Sequence, residues 1–212
     1  MTAASPLTLL LLTSSGFAAL VVALLVGALP DEGEMRQVLL GWASPPVVAV
    51  LDVANFAGDW RLIIPASLVL FLIFPHARAR WGVWLGLMIA TPMAETAAKY
   101  LVGRTRPEDL SLGFPSGHVT AAAAFFGAIV YLAAALPSRG ARLAVRTGAA
   151  LIILLVALAR VLLRAHWPSD ALGGAALGLA LASAAALVAQ APPDEDRGSG
   201  TPPSAAATTS RI

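Results

Sequence analysis

Residues 7–29 read LTLLLLTSSGFAALVVALLVGAL, an apolar run that contains no charged side chain. A helix that spans a bilayer needs about 20 consecutive apolar residues, and this run meets that length. It is longer than the core of a signal peptide and lacks a basic leader, so it predicts a retained anchor instead of a cleaved signal. The first stretch of the chain therefore indicates an integral membrane protein.

The composition of the whole chain supports this class of protein. Of the 212 residues, 58% are hydrophobic and only 12% are charged, which is too little charge for a soluble domain of this length. The chain has no cysteine, which excludes disulfides, zinc–thiolate sites and thiol chemistry. The net charge of +2 comes from scattered basic residues, so we expect no nucleic-acid partner.

The remaining apolar runs predict an all-α integral membrane fold. Six transmembrane helices are expected at about 7–29, 61–75, 81–101, 117–136, 145–164 and 169–190. Residues 44–58 are apolar but short and begin near Pro-Pro, which favours an interfacial or re-entrant helix. Residues 1–190 then form one six-span domain. Residues 191–212 are rich in Pro, Ser, Gly and Thr and predict a disordered cytoplasmic tail.

The loop charges predict the orientation of the helices. Two predicted loops carry the arginines Arg78 and Arg80, and Arg139, Arg142 and Arg146. Because positively charged loops face the cytoplasm, both termini are expected there as well. The loop 102–116, between predicted helices three and four, and the turn 165–168 then lie together on the outer side. A catalytic loop is expected at the first of these.

Charged groups within or beside the predicted spans cluster at that outer surface. Such groups are rare in membranes and usually functional. Lys99 is the single lysine among 14 basic residues, and Glu95 lies four residues before it on one helix face. Arg160 and Arg164 also lie four apart, where like charges repel unless an anion is near. Taken alone, Arg104 and Arg164 are interpreted as snorkelling side chains at helix ends.

A short motif precedes the fourth predicted span. Residues 115–118 read Pro-Ser-Gly-His and are followed by an alanine-rich apolar run. Ser116 is a good N-cap, and Gly117 removes a side chain where a ligand would approach the backbone. The N–H groups and positive dipole of the helix end favour an anion, and His118 beside them can transfer a proton. A capped helix start without a ligand is the alternative interpretation.

The second histidine of interest has a carboxylate at helical spacing. His166 and Asp170 lie four residues apart, and Pro168 with Ser169 indicates a helix start between them. A carboxylate that accepts one ring N–H fixes the tautomer of a histidine and stabilises its cation. The other ring nitrogen is then free to act as a nucleophile.

Taken together, the motifs resemble the type 2 phosphatidic acid phosphatase family of integral-membrane lipid phosphatases. The family signature is Lys-x6-Arg-Pro, then Pro-Ser-Gly-His, then Ser-Arg-x5-His-x3-Asp. This chain matches its order and spacing with Lys99, Arg106-Pro107, residues 115–118, Arg160, His166 and Asp170. It departs from the signature at Ala159, where the family has serine. The signature covers residues 99–170, and the six-span core resembles residues 7–190.

The resemblance implies a role for each matched residue. His166 would attack phosphorus and form a phosphohistidine, Asp170 would hold its ring, and His118 would protonate the leaving oxygen and then activate water. The phosphoryl oxygens would be held by Lys99, Arg106, Arg160 and the backbone at Ser116 and Gly117. Fixed cations would provide the charge stabilisation, so neither a metal nor another cofactor is expected.

The expected substrate is a phosphorylated membrane lipid that reaches the site from the bilayer of a bacterial inner membrane. Undecaprenyl pyrophosphate is the first candidate, and phosphatidylglycerophosphate and phosphatidic acid are alternatives. A non-catalytic lipid-binding or scrambling protein would need only the basic cluster. The predicted spans disfavour haloperoxidase chemistry, and the absence of a repeat disfavours a transporter. Gly174 and Gly178 indicate close helix contact, with a homodimer as a weaker hypothesis.

Overall fold

The computed structural model describes residues 5–190, which form nine α-helices and a short 3-10 turn. The predicted tail, 191–212, lies outside the described residues. The helices are α1 Pro6–Leu25, α2 Glu32–Leu40, α3 Pro45–Phe56, α4 Trp60–Ile73, α5 Pro75–Ala79, α6 Trp81–Val102, α7 Gly117–Leu132, α8 Arg139–Leu162 and α9 Pro168–Gln190. Within these residues no strand is formed, so the all-α prediction is confirmed.

Four helices have the length and apolarity that crossing a bilayer requires. They are α1, α8, α9 and α7 with its 3-10 extension to Ala135. The helices α2 and α3 meet at 110° and would together make a fifth span, or a re-entrant loop. The chain is thus a multi-pass membrane protein, but the prediction of six spans is not confirmed. At 14 residues α4 is short, and Glu95 and Lys99 lower the apolarity of α6.

The centre of the bundle is α7, whose alanines let its neighbours approach closely. Ala122, Ala123 and Ala124 are fully buried, and α7 packs against α6, α8 and α9. The contact with α9 depends on glycine. A Cβ atom at Gly178 would lie 2.3 Å from the carbonyl oxygen of Thr120, and one at Gly174 would lie 2.7 Å from that of Ser116. The predicted helix contact is confirmed, and it lies within the chain.

The outer helices complete the bundle around this centre. The first helix, α1, has no buried residue and packs against α9, and its Phe17 stacks on Phe114 of the loop before α7 at 5.7 Å between ring centroids. On the opposite side α3 packs against α8, and Leu51 joins the core there. The loop 103–116 and the turn 163–167 emerge at the same end of the bundle, beside the start of α2.

Candidate active site

The turn between α8 and α9 places His166 against Asp170. Both side chains are buried, at 1% and 0% exposure, and His166 Nδ1 lies 3.2 Å from Asp170 Oδ2. The main-chain N–H of His166 donates to the carbonyl of Arg160 at 3.0 Å, which ties the turn to the end of α8. Asp170 Oδ2 also accepts the N–H of Trp167 at 3.0 Å. The ring is therefore oriented with its Nε2 atom free of this pair.

Electrostatics around His166 follow from that placement. Burial lowers the pKa of His166, because the charged imidazolium is costly away from water. The hydrogen bond and the charge of Asp170 raise the pKa of His166, whereas the charges of Arg160 and Arg106 lower it. The neutral ring, which a nucleophile requires, is thus favoured.

The start of α7 carries the second motif. Ser116 occupies the N-cap position, but its hydroxyl makes no capping hydrogen bond, and its Oγ atom is buried without a partner among residues 5–190. Its N–H donates to the carbonyl of Asp170 at 2.9 Å. A Cβ atom at Gly117 would lie 2.5 Å from Oε1 of Glu95, so a carboxylate packs against this glycine. The backbone of the second motif is therefore bonded directly to the third.

His118 is half-buried and faces the connection between α3 and α4. Its Nε2 atom lies 3.9 Å from Oδ2 of Asp59, which also caps the start of α4. A Cβ atom at Gly58 would lie 2.4 Å from the carbonyl oxygen of His118, so this connection is pressed against α7. The side chains of Arg160, Arg106 and His166 lie close enough to His118 for their charges to interact with its ring. Both histidines and both arginines therefore belong to one cluster.

Lys99 is engaged by three protein acceptors. Its Nζ atom lies 3.3 Å from Oε1 of Glu95 and 3.2 Å from each of the carbonyl oxygens of Leu112 and Pro115. An ammonium group has three N–H donors, so these contacts can use all of them. In this structure Lys99 braces the loop that leads into Ser116. Its direct contact with a phosphoryl oxygen stays a prediction.

The two predicted phosphate-binding arginines retain unused donors. Arg160 donates from NH1 to Oδ1 of Asn55 at 3.1 Å, and Arg106 NH1 lies 3.7 Å from Oδ2 of Asp109. The Nε atoms of both arginines are buried and have no partner among residues 5–190. A buried donor without an acceptor is costly, so these groups are suited to an anionic ligand.

The predicted repulsion between Arg160 and Arg164 is avoided by the shape of the turn. Arg164 adopts a left-handed backbone conformation with φ of 62°, and its NH1 atom lies 3.3 Å from Oε1 of Glu108. Arg36 on α2 binds the same oxygen at 2.7 Å, and this hydrogen bond holds the pKa of Glu108 below its ordinary value. Arg164 thus faces outward to Glu108, while Arg160 faces the cluster.

Several side chains that contact the motif residues were not predicted from the sequence. Asn55 and Asp59 come from the α3–α4 region, which carries no signature residue. Arg104, interpreted above as a snorkelling side chain, instead donates to Oδ1 of Asp170 at 3.3 Å. Its second terminal nitrogen binds Glu32 at 2.6 Å. The signal available for Arg104 was its position two residues before Arg106 of the first motif. No comparable pattern marks Asn55 and Asp59.

Comparison with known proteins gives two matches. Residues 108–193 match the family model of the PAP2 superfamily, a segment that holds the second and third motifs and excludes Lys99 and Arg106. The fold resembles the crystal structure of a transmembrane PAP2-type phosphatidylglycerolphosphate phosphatase from Bacillus subtilis. The TM-score is 0.69 at 23% identity, covering 85% of this chain and 94% of the other. No curated protein sequence matches this chain.

Proposed function

We propose that this chain, whose residues 108–193 match the PAP2 superfamily model, is a member of that superfamily and removes a phosphate group from a lipid phosphate or pyrophosphate through a phosphohistidine. The observation that carries this proposal is the set of buried polar atoms without partners among residues 5–190. Three of the five such atoms belong to residues that the signature assigns to phosphate binding: Arg106 Nε, Arg160 Nε and Ser116 Oγ. For Ser116 the expected contact was the backbone, but its N–H already donates to Asp170, so we assign the contact to the hydroxyl. A bound phosphoryl group supplies the acceptors that these donors lack.

The first chemical step uses both histidines. The lone pair of His166 Nε2 attacks phosphorus, the bond from phosphorus to the leaving oxygen breaks, and His118 gives its proton to that oxygen. Asp170 accepts a hydrogen bond from the Nδ1–H of His166 at 3.2 Å and stabilises the charge that develops on the ring. The guanidinium groups of Arg106 and Arg160 and the Ser116 hydroxyl stabilise the phosphoryl oxygens.

The second step returns the enzyme to its starting state. His118, now neutral, takes a proton from water as the water oxygen attacks the phosphohistidine. The bond between phosphorus and Nε2 breaks, its electron pair returns to the His166 ring, and inorganic phosphate leaves. Asp59 lies 3.9 Å from His118 Nε2 and supports the protonated ring before the first step and after the second.

The substrate is proposed to be a membrane lipid whose head group enters at the surface of the bilayer. Undecaprenyl pyrophosphate remains the first candidate, and phosphatidylglycerophosphate is the alternative favoured by the activity named for the structurally similar protein. Phosphatidic acid is the third. We place the protein in a bacterial inner membrane, with six crossings, an extracytoplasmic site and cytoplasmic termini. The helix α4 alone is about 21 Å long at 1.5 Å per residue, so it needs α5 or a thinned bilayer to cross.

The test is phosphate release from each of the three lipids by the purified protein in detergent that contains a chelator. We expect activity in the chelator, loss of activity in His166→Ala and His118→Ala, and wild-type activity in His76→Ala. His76 is the third histidine of the chain and is exposed on α5, so it is a matched control.

Quenching the reaction with labelled substrate should trap an acid-labile phosphohistidine on His166, located by mass spectrometry. Release from all three lipids that requires added metal would contradict the mechanism. A folded protein that binds these lipids but releases no phosphate would instead favour the non-catalytic lipid-binding or scrambling protein.

A further inference from the structure

Glu32 connects α2, which carries no signature residue, to the start of α9. Its side chain is only 9% exposed although it lies in the first turn of its helix. Oε1 accepts the main-chain N–H of Ser169 at 2.7 Å, and Oε2 accepts the hydroxyl of the same serine at 2.8 Å. Oε2 also accepts a hydrogen bond from Arg104 at 2.6 Å. One carboxylate therefore holds the residue directly before Asp170 by two contacts.

Arg104 is shared between Glu32 and Asp170. One terminal nitrogen binds Glu32, and the other lies 3.3 Å from Oδ1 of Asp170 and also binds the Ser169 hydroxyl. The guanidinium lies over the ring of Trp167 at 5.1 Å, which fixes its plane. Oδ1 of Asp170 thus contacts Arg104, and Oδ2 contacts His166 and the Trp167 N–H.

We propose that Glu32 is a positioning residue for the His166–Asp170 pair: it fixes the start of α9 through Ser169 and shares the charge of Arg104 with Asp170. This inference rests on the proposed phosphatase function. Glu32 itself has no hydrogen bond to either histidine among the described contacts. It acts through Ser169 and Arg104 on the carboxylate that orients the nucleophile.

The charge of Glu32 has a consequence that a purely structural contact lacks. In a Glu32→Gln variant the full charge of Arg104 is left on Asp170, which then stabilises the His166 cation less well. The other charged and titratable groups that interact with His166 are Asp170 on α9, Arg160 on α8, Arg106 and Asp109 in the loop before α7, and His118 on α7. None of these changes in the variant, so a shift in the titration of His166 reports the Glu32–Arg104 connection.

The test compares Glu32→Gln and Glu32→Asp with Glu34→Gln in the full-length protein in detergent. Glu34 lies in the same first turn of α2 and is exposed, so it is the matched control. Activity is measured with whichever of the three lipids the wild type hydrolyses fastest. The histidine titrations are followed by 15N NMR without substrate, which is practical because the chain has three histidines.

We expect kcat of Glu32→Gln to fall about 10- to 100-fold with little change in KM, the range typical of removing a partner that orients a metal-bound histidine. The titration midpoint of His166 should fall, while that of His76 stays unchanged. Glu32→Asp should recover part of kcat and most of the midpoint, and Glu34→Gln should match the wild type.

A folded Glu32→Gln protein with wild-type kcat and an unshifted His166 midpoint would overturn the proposal, as would a loss of kcat without a shift. If this variant does not fold, Ser169→Ala, which removes the hydroxyl but keeps the N–H and the charge of Glu32, tests the positioning alone, and a wild-type kcat in this variant would overturn the proposal. A wild-type protein that hydrolyses none of the lipids refutes the proposed function, whereas the NMR titration still tests the connection.

Discussion

The buried hydroxyl of Ser116 gives a prediction in which activity and stability change independently. Its Oγ atom has no partner among residues 5–190, so in the ligand-free protein it contributes a desolvation cost and no hydrogen bond. In the proposed mechanism it donates to a phosphoryl oxygen. Ser116→Ala should therefore impair catalysis without destabilising the fold.

The magnitudes follow from these two environments. A hydrogen bond to a charged group contributes about 1.5–3 kcal/mol, which corresponds to a loss of about 10- to 150-fold in kcat/KM. Removing an unsatisfied buried hydroxyl relieves a cost of about 1–3 kcal/mol, which is partly offset by the small void that the oxygen leaves. The free energy of unfolding should be unchanged or higher.

Ser183→Ala is the matched control on α9. Ser183 is equally buried, but its hydroxyl donates to the Leu179 carbonyl at 2.7 Å and bonds to the Tyr131 hydroxyl at 2.9 Å. This variant should lose about 1–2 kcal/mol of stability and retain wild-type kcat/KM. The assays are phosphate release and thermal unfolding in detergent. Wild-type kcat/KM in folded Ser116→Ala, or a parallel loss of stability, would refute the reasoning.

Three further predictions concern the histidines. Because burial lowers the pKa of His166, its neutral form should persist below the ordinary histidine pKa of about 6.5. As the pH is lowered, kcat/KM corrected for substrate ionisation should therefore not fall until the pH is below this value. A fall on acidification that begins above it would contradict the prediction. Gly58→Ala places a methyl group 2.4 Å from the His118 carbonyl and should reduce both stability and kcat, whereas Gly148→Ala, which meets nothing within 4 Å, should reduce neither. Asp59→Asn can keep the cap of α4 but removes the carboxylate that faces His118. Its kcat should fall about tenfold, which corresponds to about 1.4 kcal/mol, with KM unchanged. An unchanged kcat would exclude a role for Asp59 in supporting the protonated His118.

The helical class and the motif-bearing segments were predictable because each depends on local pattern. Apolar runs predicted the positions of α1, α7, α8 and α9, and the spacing of His166 and Asp170 predicted their contact across the start of α9. The number of spans was less predictable. The ends of α4 and the apolarity of α6 depend on a few residues. Pro45 and Pro46 mark the bend of 110° between α2 and α3, but composition does not tell a broken span from a re-entrant loop.

The contacts that support the motifs could not be predicted from their spacing. Glu32 and Ser169 are 137 positions apart in the sequence, and Asn55 and Arg160 are 105 apart. Such pairs are fixed by the way α2 and α3 pack against α8 and α9, which no local pattern encodes. The exposure of a carboxylate such as Glu32 is likewise decided only when its helix docks.

The bond between the Ser116 N–H and the Asp170 carbonyl, with Gly174 pressed against Ser116, has a mechanical consequence. The starts of α7 and α9 are joined through backbone atoms, so these helices should tilt together when the bilayer thins or thickens. The geometry between the histidines would then be insensitive to lateral strain.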